Sequence, residues 1–139
     1  MNLEAQPGGP TVADVIAVAE FRAALRRFLR TSERVARQSH LTPQRYTLLL
    51  MIKGSPSGSE QSTVTELAER LQLAQSTVTE LVSRAEEAGL VEREQSREDA
   101  RVAHLRLTAE GERRLMQSFT ELAKERDQLA AAISHIEGA

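Results

Sequence analysis

A chain of 139 residues is the size of one domain, and at 40% hydrophobic and 27% charged it has the composition of an ordinary globular fold. The absence of cysteine excludes disulfides, thiol redox chemistry and cysteine–metal sites, while an aromatic content of 3% leaves a core of Leu, Val, Ile and Ala and favours helices. A formal net charge of −2 argues against a partner held by net charge alone, although residues 1–41 carry six arginines against four acids and form the only net-positive third.

In chain order, the opening MNLEAQPGGP is a flexible start; it lacks the basic and apolar stretches of a secretion signal. Thr11 and Asp14 then have the spacing of a capping box, and Phe21, Leu25, Phe28 and Val35 share one stripe of a long helix running to about Gln38. LTPQRYTLLLMIKG predicts a second helix, capped by Thr42, opened by Pro43 and stopped by Gly54 in a left-handed conformation. The turn-rich SPSGSEQS is a loop. Thr63 and Glu66 form another capping box, and Val64, Leu67, Ala68 and Leu71 lie on one face of a short third helix. A fourth follows with Val78, Leu81, Val82 and Ala85 at the same offsets and Gly89 as its stop. Beyond Gly89 the period falls to two, predicting an antiparallel hairpin from LVERE, the turn QSRED and ARVAHLRLT. Thr108 caps a single last helix with Leu115, Leu122, Leu129 and Ile136 at heptad spacing and Phe119 and Ile133 beside them.

The hexapeptide STVTEL occurs twice, at Ser62–Leu67 and Ser76–Leu81. Two copies at so short a spacing do not make a tandem array. Each lies at the start of a short helix, and two short helices joined by a tight turn form a helix-turn-helix. In the second copy the turn residue Gln75 with Ser76, Thr77 and Thr79 presents small hydrogen-bonding groups opposite Val78, Leu81 and Val82. A helix of that kind fits the major groove, where its positive end favours phosphates. The hairpin after it, with Arg93, Arg97 and Arg101, reads as a wing. Taken singly, Ser and Thr at helix starts are ordinary caps and each arginine an ordinary surface charge; the conjunction points to DNA.

The order LTPQRYTLL, TELAERLQLAQSTVTELVSRAEEAGLVERE, Asp99-Ala100-Arg101 and LTAEG resembles the MarR family of bacterial regulators over nearly the whole chain. The resemblance implies a mainly helical fold with a small β wing. After a flexible 1–10, residues 11–139 would form one MarR-like domain, with 11–40 and 109–139 as dimerisation helices and 41–108 as the winged helix-turn-helix. It implies a homodimer on a pseudo-palindromic operator of double-stranded DNA, a repressor released by a small aromatic or phenolic acid; a cytoplasmic location is expected from the lack of a secretion signal and of a membrane-length apolar run. Gln75, Ser76, Thr77, Thr79 and Arg84 would meet the major groove, Arg97 and Arg101 would serve the wing, and Asp99 would brace it. His40 and Tyr46 bracket the junction where relatives bind effectors, although Tyr46 reads first as core; Val12, Val15, Leu129 and Ile133 are candidates for the dimer contact. The chain departs from the pattern at Ala74, where relatives place a Ser or Asn cap, at the uncharged Ala100 and at the acidic Glu80, so binding should rest on few phosphate contacts and be salt-sensitive.

Other chemistries have little footing. His40, His104 and His135 lack metal-ligand spacing, and no phosphate loop, nucleophile elbow or paired-carboxylate motif occurs, so no enzyme, metal or cofactor is expected. No apolar run is long enough to span a membrane. Arg22, Arg26, Arg30 and Arg34 recur every four residues, ordinarily a solvated face and otherwise a receiver of anions. The principal rival function is a winged-helix protein-interaction module that does not bind DNA; a ligand-binding protein or enzyme on the same scaffold is a distant third.

Overall fold

The structure is a computed structural model that describes residues 8–137, so most of the flexible start expected for residues 1–10 lies outside the described residues. Its elements in order are α1 (Val12–Gln38), α2 (Pro43–Lys53), α3 (Val64–Leu71), α4 (Gln75–Glu87), β1 (Val91–Gln95), β2 (Ala103–Leu107), α5 (Ala109–Glu121) and α6 (Ala123–Glu137). They fall into two compact units, one of residues up to Val35 together with those from Thr120 onward, the other Ala36–Phe119.

The second unit is a winged helix-turn-helix. Thr42 caps α2 by accepting from the Arg45 amide at 3.1 Å, and Thr63 and Glu66 close a reciprocal box at the start of α3. The buried faces of these helices, Leu48, Leu49 and Ile52 on α2, Leu67 on α3, and Val78, Val82 and Ala85 on α4, share a core with Leu90, Leu105 and Leu115. β1 and β2 pair antiparallel with Val91 opposite Leu107 and Gln95 opposite Ala103. Ser62, expected to be loop, instead forms a bridge to Leu105, exchanging backbone bonds of 3.0 and 2.8 Å and adding a short third edge to the wing. The loop pattern of SPSGSEQS could not show this, because the partner lies on a strand far along the chain.

Two glycines serve different ends. Gly89 adopts φ +74°, and the amides of Gly89 and Leu90 return to the carbonyls of Glu86 and Ala85, the Schellman closure expected of α4. Because nothing lies within 4 Å of a Cβ built there, Gly89→Ala should cost only the backbone penalty, about 1 kcal/mol, as urea denaturation would show. Gly54, expected to be left-handed, has φ −92° instead; its amide continues the helix to the Leu50 carbonyl at 2.9 Å, and a Cβ would stand 3.0 Å from that oxygen. Space, not φ, favours glycine at that end of α2.

Side chains join α2 to α3 and α5. Arg70 on α3 donates to the carbonyls of Met51 at 2.8 Å and Gly54 at 3.3 Å, and Lys53 pairs with Glu112 at 2.6 Å and Glu60 at 3.1 Å. The hydrogen bonds that Lys53 donates to these two carboxylates, Glu112 first, raise its pKa. At the start of α5, Glu110 accepts from Arg113 and Arg114, which lower its pKa from 4.5 to about 2. Its folded-state pKa being depressed, this pairing stabilises the fold fully above about pH 4.5 and is lost as pH falls towards 2. Glu110→Gln should therefore flatten the fall in urea midpoint between pH 5 and pH 3 relative to the parent chain, the two converging at lower pH.

In the first unit α1 starts with the Thr11–Asp14 box, at 2.8 and 3.2 Å, and lays Ala24 and Val35 into the interior. The single last helix expected from the heptad is two helices, α5 and α6, parted at Leu122, although the Arg126 amide still reaches the Leu122 carbonyl at 2.9 Å. Leu115 and Leu122 are fully buried while Leu129 and Ile136 are half-buried, and the boundary between units falls just before the break. The stripe thus serves two cores. No Gly or Pro in SFTELAKERD marks the division, so periodicity alone could not place it.

Candidate nucleic-acid interface

The two STVTEL copies occupy different helical registers. In the first, Ser62 is held extended by its bridge to Leu105 and Thr63 is the N-cap of α3. In the second, α4 has already begun: Gln72 turns the chain with φ +56°, Ala74 takes the cap position, and Gln75, expected in the turn, is the first helical residue. The second copy's Thr77 therefore stands three positions further into its helix than Thr63 does in its own. Glu66 folds back on the Thr63 amide, whereas its counterpart Glu80 pairs with Arg84 at 2.6 Å.

Because Val78, Val82 and Ala85 are fully buried, the opposite side of α4 must face solvent, and Gln75, Ser76, Thr77, Thr79 and Arg84 are all exposed. Gln75 also donates to Thr65 Oγ1 at 3.4 Å, a long bond to the neighbouring helix. The start of α4 is electrostatically distinctive. Ala74 makes no side-chain cap and the first turn has no acid, whereas every other described helix has a capping side-chain bond, a first-turn acid or both. Its first amides and the positive end of its dipole are left open to an anion.

At the wing, Arg93 joins Glu86 of α4 at 2.8 Å and so fastens the base of β1 to the helix; its pKa is raised by the hydrogen bond to Glu86. Arg106 pairs with Glu92 at 2.8 Å and Glu94 at 3.6 Å. The tip is closed by the Ser96 amide on the Val102 carbonyl and by Asp99, whose Oδ1 accepts from the Arg101 amide at 3.0 Å and its Nε at 3.3 Å. Arg101 is still 91% exposed in its side chain, and Arg97 is exposed with no ion pair among the described residues. Cations are thus available at the tip and neutralised along the strands.

The remaining candidates lie elsewhere. His40 ends α1 with φ +59° and is exposed, and its carbonyl accepts from Arg114 at 3.2 Å, while Tyr46 is buried. Val12, Val15 and Ile133 are exposed and Leu129 half-buried in the first unit. Sequence reasoning missed Arg70 and Ser62, which position α3 and the wing; Arg70 donates its guanidinium to backbone carbonyls and Ser62 pairs through its own backbone, and backbone partners leave no residue-type signal.

A family model described as MarR family matches residues 40–102. No curated protein matches the chain. Among solved structures, it is similar to an E. coli MarR mutant complexed with operator DNA, at 19% identity and TM-score 0.68 over 84% of each chain. It also resembles the M. tuberculosis transcriptional regulator MOSR in complex with DNA, at 27% identity and TM-score 0.60 over 79% of this chain and 77% of that one. AbsC, a MarR family transcriptional regulator from Streptomyces coelicolor, matches at 20% identity and TM-score 0.65 over 77% and 71%.

Proposed function

From the match of a MarR family model to residues 40–102, we propose that the protein is a sequence-specific DNA-binding transcriptional regulator, a dimeric repressor released by a small-molecule effector. The observation that carries the reading is the start of α4: uncapped, free of acid and exposed, it offers Gln75, Ser76, Thr77 and Thr79 on a helix fastened to a wing with Arg97 and Arg101 at its tip. The relatives seen with DNA, MarR from E. coli and MOSR, share this fold. In this reading Gln75 and the hydroxyl residues read base edges while Arg97, Arg101 and Arg84 grip phosphates, Arg84 after leaving Glu80; Asp99 shapes the wing tip.

The exposed apolar residues Val12, Val15, Ile16 and Ile133 support a dimer through α1 and α6, with Leu129 beside them, and a twofold dimer suits a pseudo-palindromic operator. No described helix is long and apolar enough to cross a membrane; a cytoplasmic site of action fits the reading. An aromatic or phenolic acid near His40 and Tyr46 is the proposed effector, and a thermal-shift screen of such acids would identify one by the rise in melting temperature that native-state binding produces.

The deciding experiment is selection of duplexes from a random library, followed by binding titrations. Arg101→Ala should weaken all duplexes alike and lower the slope of log K against log salt by about 1, whereas Gln75→Ala should relax base preference and cost about 1–3 kcal/mol on the selected site. The Arg84–Glu80 pair favours the second reading, a protein-interaction module, because it leaves α4 near neutral. A folded dimer that enriches no sequence at low salt would decide for that reading.

A further inference from the structure

The six arginines of α1, Arg22, Arg26, Arg27, Arg30, Arg34 and Arg37, are unused by the winged helix-turn-helix. At 100° per residue they fall within an arc of about 140°. Every one is exposed, while Ala24, Val35 and Ala36 on the opposite side are buried. No side chain of the six makes a hydrogen bond or ion pair among the described residues, although Glu33 falls within the same arc and Glu20 just beside it. Several arginines elsewhere are taken up by carboxylates, Arg84 by Glu80, Arg93 by Glu86, Arg106 by Glu92, and Arg113 and Arg114 by Glu110. A row of like charges four residues apart repels along the helix and weakens it, so the ladder is a standing cost that a polyanion would relieve.

We infer that this ladder is a second binding surface for the phosphate backbone of duplex DNA, distinct from the base-reading face of α4. The span from Arg22 to Arg37 is about 22 Å along the helix, too long for one small anion and suited to a row of phosphates. All the cations are arginines, whose planar forks meet phosphate oxygens in pairs. A lipid surface fits less well: between Arg22 and Arg37 the one large hydrophobic side chain that is strongly exposed is Leu29, too little apolar surface to insert among acyl chains. The contact needs no base sequence, so it stands whether or not the winged segment is sequence-specific.

The test uses the full chain and a random-sequence 40-base-pair duplex, titrated over a series of salt concentrations. Arg22, Arg26, Arg30 and Arg34 are changed together to Gln, and separately together to Lys; the sites are exposed and without partners among the described residues, and circular dichroism checks that both variants fold. The Gln variant should bind roughly tenfold or more weakly at 0.1 M salt, with a salt slope smaller by about 2–4, near 0.9 for each phosphate that is no longer neutralised. The Lys variant should recover most of both. An unchanged slope and affinity in the Gln variant would overturn the inference, and so would failure of the Lys variant to recover, which would make the loss structural. Loss of binding to anionic phospholipid vesicles with DNA binding intact would assign the ladder to membranes instead.

Discussion

Thr77→Glu is expected to lower affinity for the selected duplex roughly a hundredfold, about 2.8 kcal/mol, while leaving the protein as stable as before or slightly more so. The two effects come from one feature. Thr77 lies in the exposed first turn of α4, which has neither an acid nor a side-chain cap. A carboxylate there meets the positive end of the helix dipole and should add about 0.3–1 kcal/mol to the free chain. In the proposed reading the same carboxylate would stand where phosphates approach, and like charges placed together at an interface cost several kcal/mol. Thr77→Gln, which adds comparable bulk without charge, should lose much less. Melting temperature and fluorescence anisotropy on the same preparations separate the two quantities; equal losses from Glu and Gln would mean that bulk, not charge, is decisive and that phosphates do not approach this turn.

The largest effect on folding is expected at Gly111, where substitution by Ala should cost about 3 kcal/mol or more, as overpacking against a rigid neighbour does. A Cβ at Gly111 would stand 2.1 Å from the Leu90 carbonyl oxygen and 3.0 Å from its carbon. That carbonyl cannot easily retreat, because it accepts from the Thr108 amide at 3.0 Å while Thr108 Oγ1 donates to the Gly89 carbonyl at 2.6 Å. The close approach lets the start of α5 lie directly on the chain leaving α4, and Thr108 also caps α5 through the Gly111 amide at 3.1 Å. Urea denaturation of Gly111→Ala beside Gly89→Ala makes the comparison internal: the former meets backbone, the latter only strained φ in open space. A Gly111→Ala cost no larger than that of Gly89→Ala would show that the junction relaxes.

Most helix boundaries were legible because the interactions that set them span three or four residues. Thr11 with Asp14, Thr42, Thr63 with Glu66, and Thr108 all cap as their spacing predicts, and Gly89 closes α4 as expected. The exposed face of α4 was legible for the same reason, since a 3.6-residue period that buries Val78, Val82 and Ala85 dictates which letters remain outside. The registers of the two STVTEL copies were not. Ser62 stays out of α3 because it pairs with Leu105, and α4 begins before Ser76 because Gln72 turns the chain first. Neither cause lies within the repeated letters.

Sequence alone was thus sufficient for much of what depends on neighbours along the chain: most of the helices and their caps, the winged order and which side chains of α4 stand exposed. Tertiary structure decided what depends on distant partners. It set the Ser62 edge of the wing, the break at Leu122, the hold of Arg70 on the end of α2, the glycine that Leu90 requires at Gly111, and which arginines are neutralised and which stay free. The physical reason is range: a cap or an amphipathic stripe is complete within a few turns, whereas a close backbone approach or an ion pair between elements exists only once packing has brought its two halves together.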